Sequence, residues 1–571
     1  MMINVEQSVA TKLPWLGTSS PIVRQSALGV FRKLVHQDEI NNFLLEHKDL
    51  KNFSFIDKVF EYFNFSYSLS SKSRANIPSE GRVVIVANHP IGSLDGLALL
   101  RAVGEIRADV KIVANDLLAS FSQLSELLIP IDNMGQSSYR KSYRAVIEAL
   151  EDDCAIIVFP AGEVSRVSPV GVRDGRWQTG FLHFARKTGA NILPVHIEAR
   201  NSALFYSLSM IYKPLSTLWL AREMFNKNHT DIKFRVGDPL PAKGFEALQV
   251  ADRSVAARLK KYIYKMGKGN ANGFVTEKTL AHPENANALK QQLSFQTLLG
   301  ATRDSNQIYL AQYLEDSPLM RELGRLREAT FRKVGEGTGS RRDLDNYDRT
   351  YQHLILWDNQ RLAIAGGYRL GDCRQIIEQQ GVEGLYTAEL FTYQAAAMPL
   401  LSQAVELGRS FVSPYYWGKN SLDYLWQGLG VFLKHRPDVR YLVGPVSMSA
   451  DIPKHLRNRL VHHYQNFHAS EQLLALSHQP FVLEPHIQEA LDLELGECDR
   501  EVSFKRLQAA FAAEDCKMPV LFKQYAALFE EGGFTLMDFG VDAEFGHCVD
   551  GLFIADLHAL KAAKRKRYLG S

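Results

Sequence analysis

In the run VVIVANHPIGSLDGLALL, residues 83–100, His89 and Asp95 stand six positions apart between an apolar stretch and a segment of helical periodicity. A carboxylate that holds an imidazole in one tautomer turns the other ring nitrogen into a general base, able to take a proton from a hydroxyl attacking a carbonyl. Asp95 also suits the first turn of a helix, where its carboxylate can accept backbone N–H groups, and the two roles are compatible. Asn88, next to His89, is a candidate substrate contact. FPAGEVSR, residues 159–166, adds Gly162, where a backbone can approach a substrate, and the pair Glu163 and Arg166. Arg166 can contact an acceptor or carrier; an ion pair with Glu163 that braces the loop is the plainer use. In the second half, DLDNYDRTYQHLILW places Asp343, Asp345 and Asp348 before an apolar run, Arg369 ends the next run, and Glu406 and Arg409 flank a third. Asp345 and Asp348 can attract a protonated amine, and Glu406 can take its proton during attack on an acyl carbonyl. Arg369 and Arg409 would set the carboxylates or meet a phosphate; strand-edge ion pairs such as Glu406 with Arg369 serve equally.

Elements of two kinds must position these groups. Residues 22–65 carry apolar positions three and four apart, a helical rhythm. Short apolar runs at 83–87, 110–113, 129–131, 155–159 and 192–197 then alternate with helix-length stretches at 95–106 and 139–150, predicting an α/β unit with a largely buried sheet. A strand at 232–236 and a helix at 245–266 close it. Residues 268–292, rich in Gly, Asn and Ala, read as a linker. Beyond it, a helix at 319–333 and strands at 353–357, 362–370, 385–392, 407–412 and 440–446 predict an antiparallel or mixed sheet with flanking helices. The division is residues 1–270, a linker at 271–300, and residues 301–571.

The 571 residues, 46% apolar and 23% charged, exclude a single small module and a disordered chain. Lys and Arg total 66 against 63 for Asp and Glu, so no chain-wide basic field exists for nucleic acid. Arg140, Lys141 and Arg144 form a local basic cluster, a solvated face or a dock for an acidic carrier protein. Five scattered cysteines without CxxC spacing argue against a disulfide framework and a zinc site, and adjacent His462 and His463 cannot form an i, i+4 metal pair. No metal or redox cofactor is expected. The first 20 residues lack the pattern of a secretory signal, and no 18-residue apolar window occurs, so a cytoplasmic protein is expected. Residues 204–225, with Phe205, Tyr206, Leu218 and Trp219, suit a membrane surface. The basic tail at 564–567 reads as solvated.

The order of a His and Asp motif, the FPAGEVSR segment and ILPVHIEAR resembles the glycerolipid acyltransferase family over about residues 77–240. Two departures stand out. Five residues separate His89 from Asp95 where the family has four, with Gly92 able to absorb the extra residue, and Ala161 stands where the family has Glu. The displaced arginine argues against glycerol phosphate as acceptor and resembles the subgroup of ornithine-lipid O-acyltransferases and hemolysin-like proteins. The order of motifs over residues 309–432 is similar to acyl-homoserine-lactone synthases and ornithine N-acyltransferases, both GNAT-like. GPVSMS, residues 444–449, and FGVDAEFGHCVDGLF, residues 539–553, resemble the ornithine branch. Gln427 and Gly430 match half of the coenzyme A signature and fall within a helix, which suggests a phosphopantetheine arm instead.

Two acyl-transfer domains in one chain resemble the bifunctional ornithine lipid synthases. That resemblance implies N-acylation of ornithine by a 3-hydroxyacyl group in the C-terminal domain, then O-acylation of the 3-hydroxyl of lyso-ornithine lipid in the N-terminal domain. It implies a phosphopantetheine thioester on acyl carrier protein as donor, no cofactor, and a peripheral place on the cytoplasmic face of the inner membrane. Its alternatives are a lysophospholipid acyltransferase whose C-terminal half only binds a carrier or membrane, and a hemolysin-like membrane-binding protein.

Overall fold

The computed structural model describes residues 21–34, 36–115, 121–131, 136–169, 171–211, 219, 222–225, 230–246, 250–270, 272–495 and 498–570. The chain divides into two compact units, Met1–His282 and Pro283–Ser571. Both are α/β.

In the first unit, helices Pro21–Leu34, Gln37–Glu46 and Asn52–Phe63 precede a seven-stranded sheet. Its order is Ser66–Leu69, Asp231–Val236, Asn191–Glu198, Val83–Ala87, Ala155–Val158, Val110–Asn115 and Leu128–Ile131. All neighbours pair in parallel except Asn191–Glu198 with Asp231–Val236. Val83–Ala87 is central and buried at all five positions, which explains why VVIVA is apolar without alternation. Its carboxyl end delivers residues 88–92 to the start of helix Ser93–Gly104, and Gly92 makes that turn with φ of 103°, a conformation open to glycine. The five-residue spacing between His89 and Asp95 is absorbed there.

In the second unit, an eight-stranded sheet runs in the order Thr297–Ala301, Gln307–Ala311, Gln352–Asp358, Ala363–Asp372, Ala404–Val412, Tyr441–Met448, Cys548–Asp556 and Phe534–Asp542. Neighbours are antiparallel except for Ala404–Val412 and Tyr441–Met448. That parallel pair is in register only from Ala404 with Tyr441 to Glu406 with Val443, and beyond it the two strands part. One core gathers helices Ser421–Lys434 and Lys454–His468 against the sheet; a second gathers helix Pro318–Lys333 with Phe411, Phe545 and Cys548.

Several expectations differ from this arrangement. Helix Ala286–Leu293 and strand Thr297–Ala301 occupy the second half of the expected linker, because Leu289 and Leu293 reach a buried core. Residues 385–392 form mainly 3₁₀ turns, with a strand only at Phe391–Tyr393. Phe205 and Tyr206 are buried with Val164 instead of forming a surface anchor, while Leu218 lies outside the described residues. The basic tail is helix Ala562–Tyr568, docked by Tyr568 and Arg567 on Asp423. Gly430 packs where a Cβ would lie 2.2 Å from the Tyr568 carbonyl oxygen, a structural reason for that glycine. Among the described residues no helix is long and apolar enough to cross a membrane.

Candidate active sites

His89 lies just past the carboxyl end of the central parallel strand, where open α/β sheets form their pockets. Its Nδ1 is 2.9 Å from Asp95 Oδ1, and neither atom has another partner among the described residues. The other Asp95 oxygen accepts the backbone N–H groups of Ile91, at 2.8 Å, and Gly92, at 3.3 Å. Asp95 therefore fixes both the turn and the ring that the turn carries. The ring stacks on Phe159, with centroids 4.3 Å apart, and the side chain remains 19% exposed. Burial works against the charged imidazole, but Asp95 and the nearby Asp174 outweigh it, so the His89 pKa is raised above its ordinary 6.5. With Nδ1 turned to Asp95, Nε2 is the nitrogen left for a substrate proton.

Asp174 escaped the sequence reading. Its Oδ1 accepts the His89 N–H at 3.2 Å and the Ser165 hydroxyl at 2.5 Å, and its Oδ2 accepts the Trp177 indole N–H at 2.9 Å. It ties the His89 turn to FPAGEVSR, whose Ser165 N–H donates to the His89 carbonyl at 2.7 Å. No local pattern marks an aspartate 85 residues from the group it holds; the one signal was the short polar stretch before Trp177.

Asn88 is buried and bonds both backbone groups of Ile197, so it joins strand ends and is not a substrate contact. Gly162 has φ of +65° and open space where a Cβ would stand. Glu163 and Arg166 pair at 3.5 Å, the bracing use foreseen as the plainer one. A groove of about 690 Å³ lies beside Asp174, with Arg173, Arg176, Arg253, Lys260 and Lys261 in its walls.

In the second unit the sequence candidates do converge, but on one another. Asp348 meets Arg327 at 2.6 Å and Arg369 at 3.5 Å; Asp345 meets Arg369 at 2.5 Å and Arg409 at 3.3 Å; Asp343 meets Arg409 at 3.0 Å. Burial would raise the Asp348 pKa, yet the Arg327 and Arg369 guanidiniums hold it well below the usual carboxylate range. Asp345 and Asp348 are thereby committed to arginines and do not serve as an open seat for an amine. Arg369, fully buried, lies among the rings of Tyr347, Tyr351 and Tyr386 at 5.1 to 5.7 Å. That setting is closed to a carrier's phosphate.

Glu406 accepts from the Tyr351 hydroxyl, the Tyr386 N–H at 3.2 Å, the Thr387 N–H at 2.8 Å and the Thr387 hydroxyl at 2.5 Å. Four donors fill the lone-pair sites of a carboxylate. Glu406 therefore braces residues 385–387 against the strand, and the role of base foreseen for it has no vacant acceptor position to act through. Arg409, with φ of 47°, donates to the Tyr386 hydroxyl at 2.8 Å in addition to its aspartates. His462 and His463 are buried in helix Lys454–His468, bonded to Asp492 and Ser503, and no group of metal-binding side chains occurs among the described residues.

Comparison with known proteins places two family domains on this chain. Residues 8–269 match an acyltransferase model and residues 326–427 match an acetyltransferase (GNAT) domain model. The lyso-glycine lipid O-acyltransferase of Bacteroides thetaiotaomicron is 32% identical over 273 residues, covering 46% of this chain and 97% of that protein. The glycine N(alpha)-acyltransferase of the same organism is 31% identical over 304 residues, covering 50% of this chain and 88% of its own length. The L-ornithine N(alpha)-acyltransferase of Brucella abortus is 29% identical over 153 residues, 26% of this chain and 50% of that protein.

Proposed function

The chain belongs to the acyltransferase family and carries a GNAT domain in the same polypeptide, and from that premise we propose that it builds a diacylated amino-acid lipid in two steps. The C-terminal unit joins a 3-hydroxyacyl group to the α-amine of an amino acid, ornithine in the first reading. The N-terminal unit then acylates the 3-hydroxyl of that lyso-lipid. The order follows from the chemistry, because the first product supplies the second nucleophile.

The observation that carries this reading is the His89–Asp95 pair at 2.9 Å on a chain whose other half is a GNAT domain. In the ester step, His89 Nε2 takes the proton of the 3-hydroxyl as its oxygen attacks the thioester carbonyl. Asp95 holds the ring and stabilises the imidazolium that forms. Asp174 acts through the backbone, fixing His89 against the FPAGEVSR loop. The braced Glu163–Arg166 pair and the open space at Gly162 leave room for an acceptor without a phosphate.

Acyl carrier protein is the donor in this reading, through its phosphopantetheine thioester and with no further cofactor. The basic groove beside Asp174, and the exposed Arg140, Lys141 and Arg144, are complementary to an acidic carrier. In this reading the enzyme works at the cytoplasmic face of the membrane, where a lipid product can be released. A second reading takes glycine in place of ornithine, favoured by the glycine N(alpha)-acyltransferase match over 88% of that protein against 50% for the ornithine relative. Purified chain, a 3-hydroxyacyl carrier protein and either amino acid should yield the amide, and a further acyl carrier protein the ester, by mass spectrometry. No amide from either amino acid would contradict the proposal.

A further inference from the structure

The groove beside Asp174 gathers positive charge that the fold does not compensate. Its floor is one face of helix Asp252–Met266, where Ser254 and Ala257 are short and Arg253, Lys260 and Lys261 stand around them. Helical positions three and four apart share a side, which brings Arg253, Ala257, Lys260 and Lys261 together. The opposite wall is residues 173–177, from which Arg173 and Arg176 add two guanidiniums beside the buried Trp177. At about 690 Å³ the concavity has the size of a small-molecule site.

Elsewhere in this unit cations meet carboxylates: Arg82 with Asp153, Arg101 with Asp57, Arg186 with Asp252 and Lys278 with Asp238. In the groove they do not. Among the described residues, Arg173, Arg176, Arg253 and Lys261 have no ion pair, and Arg173 lies 5.0 Å over the Tyr264 ring instead. Lys260 donates to the carbonyls of Asp174, at 2.5 Å, and Gly175, at 2.8 Å, pinning the wall to the helix. Burial lowers the Lys260 pKa; Asp174 opposes this and Arg173 adds to it. The carboxylate at hand is already filled, because Asp174 accepts from Ser165, the His89 N–H, Trp177 and Tyr264. Glu163, whose Oε1 would lie 3.3 Å from a Cβ on Gly175, is paired with Arg166. Five cations around one spent carboxylate make a seat for an anion.

We propose that this groove seats the phosphate of the donor's phosphopantetheine arm while the thioester is delivered to His89, an inference that rests on the O-acylation reading above and names its donor subsite. The shape favours the arm over the acidic side chains of a carrier. The groove is a concavity and not a flat face, and guanidiniums take the oxygens of a phosphate two at a time. Asp174 is common to both places: it closes one side of the groove and accepts the His89 N–H at 3.2 Å. A phosphate held there lies one side chain from the catalytic turn, and the arm has only to pass Asp174.

The test uses the full chain with lyso-lipid supplied, so that the ester step alone is read, and two donors that differ by the phosphate, acyl-phosphopantetheine and acyl-pantetheine. The wild type should show a KM roughly 10- to 100-fold lower for the phosphorylated donor, the worth of charge-assisted hydrogen bonds to phosphate. Arg176→Ala with Arg253→Ala, both at exposed positions, should shrink that ratio toward one through KM, with kcat moving little. Lys261→Glu, also exposed, should act in the same direction. A ratio retained by both variants overturns the proposal. In that case a KM rise with acyl carrier protein marks the carrier's acidic face as the occupant, and lost co-sedimentation with phosphatidylglycerol vesicles marks an anionic lipid. Thermal unfolding separates the seat from the reaction. If the wild type makes no ester while phosphopantetheine, and not pantetheine, raises its midpoint above that of the variants, the acyl-transfer reading falls and the seat stands. If the midpoints of wild type and variants rise equally, the seat falls.

Discussion

The two units handle a carboxylate in opposite ways. At His89, one aspartate spends one oxygen on backbone N–H groups of its own turn and the other on a single imidazole, and the pair itself is local in the chain, with Asp174 bracing it from a distance. In the second unit, Asp343, Asp345, Asp348 and Glu406 are consumed by arginines, tyrosines and backbone from distant segments. A reactive group is therefore not marked by acidity or clustering alone. It is marked by the lone pair that folding leaves unfilled, and only the local site shows that in its sequence.

The contrast is broken most strongly at Asp95. Asp95→Asn should lower ester formation by about 10²- to 10⁴-fold, since the amide can hold the ring but not stabilise the imidazolium. Amide formation should be unchanged, and initial rates of both products check this. Glu406→Gln should act by another route. It leaves buried donors mismatched at a site with four of them, at a cost of about 1–3 kcal/mol. The expected signs are a lower unfolding midpoint and amide activity that raising the pH does not rescue. Recovery at high pH with an unchanged midpoint would return Glu406 to the role of base.

The pH dependence sharpens the comparison further. Because Asp95 and Asp174 raise the His89 pKa, the ester step should gain rate with pH and reach half its plateau above 6.5. Asp174→Asn should shift that point downward. The linked stability has the opposite slope: the charged ring stabilises the fold below the unfolded pKa, and this contribution disappears as pH rises through the folded value. The smallest effect on amide rate is expected at Asp345, 26% exposed and shared by two arginines. Asp345→Asn should cost about 1–3 kcal/mol, because Arg369 is buried although the amide oxygen can still accept from it, with little change in the apparent KM for the amino acid.

Much of the first site was legible because parallel-sheet chemistry is local: a buried VVIVA, a glycine-bearing turn and an aspartate at a helix start are contiguous. Asp174 was not legible, because its bond to the His89 N–H spans 85 residues. In the second unit the residue types were read correctly as a cluster, yet pairing of Arg369 with Asp345, rather than with Glu406, depends on strand register and on Arg409 adopting a left-handed backbone. GPVSMS and FGVDAEFGHCVDGLF stood out in sequence as motifs without a role. Antiparallel pairing sets the two motifs side by side, with Ser447 opposite Asp550. Phe205 and Tyr206 were misplaced for a similar reason: an aromatic stripe reads the same in either setting, and tertiary packing buries both.

The most direct test of two separate acyl transfers in one chain is the product distribution of His89→Ala. The variant is given amino acid, 3-hydroxyacyl carrier protein and acyl carrier protein, and the products are followed by mass spectrometry. The account predicts the monoacyl amide at the wild-type rate and its accumulation without ester. Ester at the wild-type rate, or loss of the amide together with the ester, would contradict it.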